Sequence, residues 1–110
     1  MIYHGISISQ DKLTDFCRRN HVHQLALFGS ILREDFRPDS DIDMLIEIEH
    51  GYPLGYVGLA GLELELSAML GRKVDLRTLA ELSRYFRDDV VANSEVIYAE
   101  GRPSPTPAHA

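Results

Sequence analysis

The chain has 110 residues, with 17 Asp and Glu against 11 Lys and Arg, and a formal net charge of −6 at pH 7 with His neutral. A composition of 45% hydrophobic and 25% charged residues fits one folded domain and excludes wholesale disorder and fibrous repeats. The acidic balance opposes sequence-independent adhesion to phosphate backbones, so no direct nucleic-acid partner is expected.

Ser9 reads as the N-cap of a first helix, with Ile8 placed to staple against Leu13 across the first turn. Leu13, Phe16 and Cys17 recur at three- and four-residue spacing and predict one buried stripe, while Arg18 and Arg19 suit the negative end of the helix dipole. Cys17 is the one cysteine of the chain. It has no internal disulfide partner and reads as a small buried residue in a reducing compartment.

Val22 to Phe28 ends in a continuous apolar run, as a strand covered on both faces would, and Gly29-Ser30 breaks it. Ile31-Leu32-Arg33 can then begin a short helix. From Asp41 to Glu49 the pattern alternates, with Ile42, Met44, Ile46 and Ile48 on one side and Asp41, Asp43, Leu45, Glu47 and Glu49 on the other, which predicts a half-buried strand. After the turn at His50-Gly51-Tyr52-Pro53, Leu59, Leu62, Leu66, Met69 and Leu70 repeat at helical spacing up to Gly71, a C-cap. Gly55, Gly58 and Gly61 weaken the beginning of that helix. Lys73 to Arg77 predicts a second short strand, Leu79 to Val91 a helical patch, and Glu95 to Tyr98 a last strand. Residues 1–100 therefore form one domain of mixed helix and strand. Residues 101–110, rich in proline and small residues, read as a flexible tail. No apolar run reaches the roughly 18 residues of a membrane span and no signal segment opens the chain, so no membrane partner and a cytoplasmic location are expected.

Chemistry concentrates between Gly29 and Asp43. Carboxylates at i and i+2 of a strand project from the same face, with Cα atoms roughly 6.6 Å apart, so Asp41 and Asp43 point together. Like charges that close repel unless a cation lies between them, and Mg²⁺ takes carboxylate oxygens together with waters and substrate phosphates. Two such ions can stabilise the attacking and leaving oxygens of an in-line phosphoryl displacement. Asp75, on a strand that could lie beside the first, is the candidate to orient or deprotonate the attacking hydroxyl. Upstream, the strand-to-helix turn at Gly29-Ser30 would aim free N–H groups and the Ser30 hydroxyl at a triphosphate, and Arg33 would add charge-assisted bonds. Other motifs fail. An EF-hand loop would need Gly where Met44 stands and Glu where His50 stands, and no Gly-Lys-Ser/Thr follows Gly29 as a Walker A loop requires. Ser30 lacks the Gly-x-Ser-x-Gly elbow of an acyl nucleophile, and His4, His21, His23 and His50 show no ligand pair at helical spacing.

Gly29-Ser30, ten intervening residues and Asp41-Ile42-Asp43 resemble the signature of the DNA polymerase beta-like nucleotidyltransferase superfamily. Leu27-Phe28-Gly29-Ser30 with Ser40 to Ile46 is similar in detail to its minimal, MNT-type branch. The resemblance extends through Lys73-Val74-Asp75-Leu76 and Tyr85 to Tyr98, to about Glu100. It implies an α+β fold, a mixed sheet flanked by helices, in which Asp41 and Asp43 hold two Mg²⁺, Asp75 completes the triad and Gly29 with Ser30 binds nucleotide phosphates. The implied reaction moves AMP from ATP to an acceptor hydroxyl and releases pyrophosphate. The implied role is antitoxin of a HEPN-domain ribonuclease toxin, neutralised by adenylylation of a tyrosine and by complex formation. A non-catalytic antitoxin that acts by binding alone is the alternative, and transfer to a small molecule or RNA end a third reading. Both homo- and hetero-oligomers stay open. Glu34 stands where many members carry Gly after the motif arginine, beside the phosphate-side charge of Arg33.

Overall fold

The computed structural model describes residues 1–82 and 84–101. A small hairpin opens the chain, β1 (Ile2–Tyr3) against β2 (Ile6–Ser7), turning through His4 at φ 50° and Gly5 at φ 81°. Sequence reading misses it, because two-residue strands carry no alternation and a histidine in the left-handed region is uncommon.

Helix α1 (Gln10–Arg19) begins as predicted, the Ser9 hydroxyl accepting the Lys12 N–H at 3.3 Å, and it buries Leu13, Phe16 and Cys17. Strand β3 (Val22–Phe28) buries Leu25, Ala26 and Leu27 in succession, as a strand covered on both faces must. A single 3-10 turn over Gly29–Leu32 leads to β4 (Ile42–Ile48), one residue shorter at each end than the alternation suggests. Helix α2 (Tyr56–Leu70) starts behind Gly55 and ends on Gly71, whose φ of 68° is the left-handed C-cap read from the sequence. Strand β5 (Val74–Arg77) follows.

The predicted helical patch from Leu79 to Val91 divides into a 3-10 turn, Leu79–Glu81, and α3 (Arg84–Asn93). Thr78 and Glu81 form a reciprocal capping box, and Leu82 is extended at φ −82°, ψ 140°, so the turn cannot propagate into the helix. Strand β6 (Glu95–Ala99) closes the described chain. Beyond Gly101 the predicted tail lies outside the described residues.

The main sheet runs β5-β4-β3-β6, with β3 antiparallel to β4 and β6, and β4 parallel to β5. Parallel neighbours need a crossover, and α2 supplies it. Ile42, Met44 and Ile46 of β4, Leu13 and Phe16 of α1, and Leu62 and Leu66 of α2 join in a single core. Complete burial of one such leucine contributes about 1.5–3 kcal/mol. Helix α3 buries none of its described residues and leaves Tyr85, Phe86 and Val91 exposed. No helix among the described residues is long and apolar enough to cross a membrane.

Candidate active site

The site lies at the beginning of β4, and it is built by register. Parallel pairing sets Asp43 directly opposite Asp75, and antiparallel pairing sets Phe28 opposite Asp43 on the other side. Gly29, the next residue after Phe28, turns with φ 77°, so its backbone closes directly on the Asp43 carboxylate. A Cβ at Gly29 would collide with Asp43 Oδ2 and lie 3.2 Å from its Cγ. Glycine is thus required twice, for the left-handed turn and for the close approach.

The loop between Gly29 and β4 is held from outside. Arg72 donates through Nη2 to the carbonyls of Arg37 at 3.1 Å and Ser40 at 2.6 Å, and its guanidinium lies 4.9 Å from the Phe36 ring centroid. On Phe36 also stacks His4, with centroids 4.8 Å apart, and His4 Nε2 donates to the Ile31 carbonyl at 3.0 Å. Arg72 and His4 therefore tie the loop to the hairpin and to the start of β5. Sequence reading missed both, since an arginine that binds remote carbonyls leaves no local pattern.

Arg33, expected on a helix one turn past Ser30, instead leaves the 3-10 turn in extended conformation, φ −116°, ψ 165°. Its Nε pairs with Asp35 at 3.1 Å on the surface. Its charge still reaches Asp43, where it favours the ionised form.

Asp75 sits on the edge strand of the sheet. The outward N–H groups on either side of it are satisfied by α2: Val74 N–H donates to the Ser67 hydroxyl at 2.9 Å, and Leu76 N–H to Glu63 Oε2 at 2.7 Å. The Ser67 hydroxyl in turn donates to the Glu63 carbonyl at 2.8 Å. An edge is thereby closed and the strand carrying Asp75 is fixed along the helix. The Asp75 carboxylate itself accepts two bonds from Arg77, at 3.0 and 3.3 Å.

Burial, followed by the charges of Asp75 and Asp41, raises the Asp43 carboxyl above the usual carboxylate range, against the opposing pull of Arg77 and Arg33. Asp43 accepts no hydrogen bond among the described residues, and Asp41 has only Lys73 Nζ at 3.9 Å. Three His, Cys, Asp or Glu side chains do not converge into a ready metal cage among the described residues. Asp75 is turned to Arg77 and Asp41 toward Lys73. The donor set fits Mg²⁺ nonetheless, because that ion is normally held by one or two carboxylates with phosphates and waters completing the shell. A half-buried, unbonded carboxylate crowded by like charges is such a donor.

The sequence profile of the nucleotidyltransferase domain family matches residues 10–99. The chain belongs to that family. It is a nucleotidyltransferase of the minimal, polymerase beta-like fold. An inferred protein adenylyltransferase of Methanocaldococcus jannaschii is 30% identical over 80 residues, covering 73% of this chain and 84% of the relative. A toxin-antitoxin structure solved with AMP-PNP is matched with a TM-score of 0.68 at 23% identity over 86% of this chain and 76% of the other. A chain from a tri-AMPylated Shewanella oneidensis HEPN toxin in complex with MNT antitoxin matches with a TM-score of 0.60 at 23% identity, over 82% of this nucleotidyltransferase and 69% of the other chain. At these identities the structural likeness is one of fold.

Proposed function

We propose that this nucleotidyltransferase moves AMP from Mg-ATP to the hydroxyl of a partner protein, a tyrosine of a HEPN-domain toxin, and so serves as an antitoxin in the cytoplasm. Residues 1–100 would form the catalytic domain. The observation that carries this reading is the Asp43 carboxylate, unbonded and half-buried, closed on by Gly29 and set opposite Asp75. The relative named for protein adenylylation and the fold shared with chains of toxin-antitoxin complexes support the acceptor class.

In this mechanism Gly29 and Ser30 let the triphosphate approach the backbone, and Asp41 and Asp43 would hold two Mg²⁺. When bound, the metal neutralises charge on the phosphates and on the entering and leaving oxygens. Arg33 adds positive charge beside the phosphates once it is released from Asp35. The acceptor oxygen attacks the α-phosphorus, the bond to the bridging oxygen of pyrophosphate breaks, and the hydroxyl proton passes to Asp75. Arg77, hydrogen-bonded to Asp75, orients that carboxylate toward the acceptor.

Intact-mass spectrometry of a co-expressed HEPN partner, incubated with this protein, ATP and Mg²⁺, tests the reading. One or more AMP additions are expected, and none with the Asp41→Asn, Asp43→Asn double variant. A stable complex that protects cells with no mass gain would replace the transferase with neutralisation by binding alone.

A further inference from the structure

Asp43 lies in the first half of β4, with Asp41 just before the strand, and the second half borders a groove. Pairing with β5 ends at Leu45 opposite Arg77, whereas β4 continues to Ile48, so Ile46–Ile48 has no strand beside it on that edge. The chain leaves β5 through the turn Leu79–Glu81, and α2 begins across the gap at Tyr56. Between them lies a cavity of about 530 Å³, with Ile46, Ile48, Leu54, Leu59 and Leu79 among its walls. A second, smaller cavity of about 210 Å³ shares Tyr56, Leu59 and Glu81 with the first and has Asp75 in its wall. The two adjoin at these shared residues, and the smaller reaches Asp75.

Its chemistry is specific. The floor is apolar, yet the margin carries Glu47, Glu63 and Glu81. Glu63 and Glu81 accept from the backbone N–H groups of Leu76 and Thr78, and Glu47 lies 3.6 Å from His23 Nε2; among the described residues none of the three forms an ion pair with an arginine or lysine, although the Arg77 charge acts on Glu81 from a distance. Arg77, the one basic residue among those walls, is taken up by Asp75. Tyr56, in the wall of both cavities, stands 82% exposed.

We infer that this groove seats the acceptor protein, taking an extended segment in which apolar residues alternate with lysine or arginine next to the hydroxyl to be modified. The inference rests on the protein-acceptor reading above and names the segment that site recognises. The segment lies along Ile46–Ile48 as an added strand, its main chain bonding to the free edge. Alternate side chains enter the apolar floor while the others reach the acidic margin. The reach of the smaller cavity to Asp75 delivers the hydroxyl to the carboxylate that takes its proton.

The test uses the full chain and a fluorescein-labelled peptide of alternating valine and lysine around one tyrosine, with a counterpart in which glutamate replaces lysine. Fluorescence anisotropy without ATP should show the lysine peptide binding, and the glutamate peptide roughly tenfold or more weaker. Ala80→Arg, placed on an exposed turn to fill the groove with a cation, should weaken the lysine peptide by a similar factor, as should Tyr56→Ala. Amide NMR shifts should centre on Ile46–Ile48. Absence of binding, equal binding of the two peptides, or binding indifferent to both groove variants would overturn the inference. So would a concentration-dependent dimer abolished by Ala80→Arg, which would give the groove to a second copy. Binding that passes these tests while the tyrosine gains no AMP supports the groove and counts against the transfer reaction instead.

Discussion

The two halves of β4 belong to one strand and share one partner, β3, but they are built for opposite ends. The first half is enclosed: β5 pairs with it through Leu45, Gly29 closes on Asp43, and Arg72 holds the loop that enters it. The second half, Ile46–Ile48, has no strand on its outer edge and faces a largely apolar groove. Charge is placed where the backbone is over-determined, and apolar surface where it is left open. On the proposed reading, AMP transfer, which tolerates little misplacement, uses the first arrangement, and recognition of the acceptor chain uses the second.

The sharpest way to break this comparison is at Asp43. Asp43→Asn should reduce AMP transfer by about 10³-fold, the several kcal/mol that metal-assisted charge stabilisation supplies. Because burial and the charges of Asp75 and Asp41 disfavour the ionised form, the same change should hold or raise the melting temperature. Intact-mass kinetics and a thermal melt on the same sample check both. A variant that loses transfer only because it unfolds would deny that the enclosed half is a preformed site.

Gly29→Ala should follow in size. The new methyl meets Asp43, and the residue must hold φ 77°, so a loss of about 1–3 kcal/mol in stability is expected together with most of the transfer. Urea unfolding gives the first quantity and the mass assay the second. Gly71→Ala is the control. It carries a similar φ of 68°, but a Cβ there meets nothing within 4 Å, so it should lose stability while transfer persists.

Ser67→Ala probes the support behind the enclosed half. It leaves the Val74 N–H without its 2.9 Å acceptor, at a cost of about 1–3 kcal/mol for an unsatisfied buried donor. Hydrogen exchange should quicken at β5 and stay unchanged at β6. Equal quickening across the sheet would mean that the helix stabilises the core as a whole and does not hold the edge that carries Asp75.

How much of this was legible in the sequence follows from the distance over which each part is encoded. Gly29, Ser30, Asp41 and Asp43 fall within one short stretch, and period-two alternation placed Asp43 on a strand, while Asp41, expected on it too, stands one residue before β4 begins. Asp75 was legible through the same alternation, and its register opposite Asp43 matches the adjacent-strand expectation. Leu62, Leu66 and the Gly71 cap followed from helical spacing. The supports were not legible. Ser67 and Glu63 serve β5 through its backbone, and Arg72 serves carbonyls more than 30 residues away in sequence, so no side-chain pattern announces them. Arg33 was placed on a helix because Ile31-Leu32 permits one. The single 3-10 turn ends first, and Arg33 finds Asp35 instead. The groove escaped for a related reason: it exists only because β5 is shorter than β4, a difference of strand length that neither strand shows by itself.

The smallest expected effect on the fold lies at the open half. Tyr56 is 82% exposed at the first residue of α2, and removing its ring takes little apolar area out of the folded state, so Tyr56→Ala should change stability by no more than about 0.5 kcal/mol. Intrinsic helix propensity even favours alanine there. If the open half is a recognition surface, that same substitution should slow AMP transfer to a protein acceptor, chiefly through KM, while leaving Mg-ATP binding by calorimetry untouched, because Tyr56 is remote in the chain from Gly29 and Ser30 and acts only on the acceptor side. A fall in nucleotide affinity would instead place the adenine end of ATP in the groove. The two halves of β4 would then divide one nucleotide between them, and the acceptor would have to approach over the open face of the sheet.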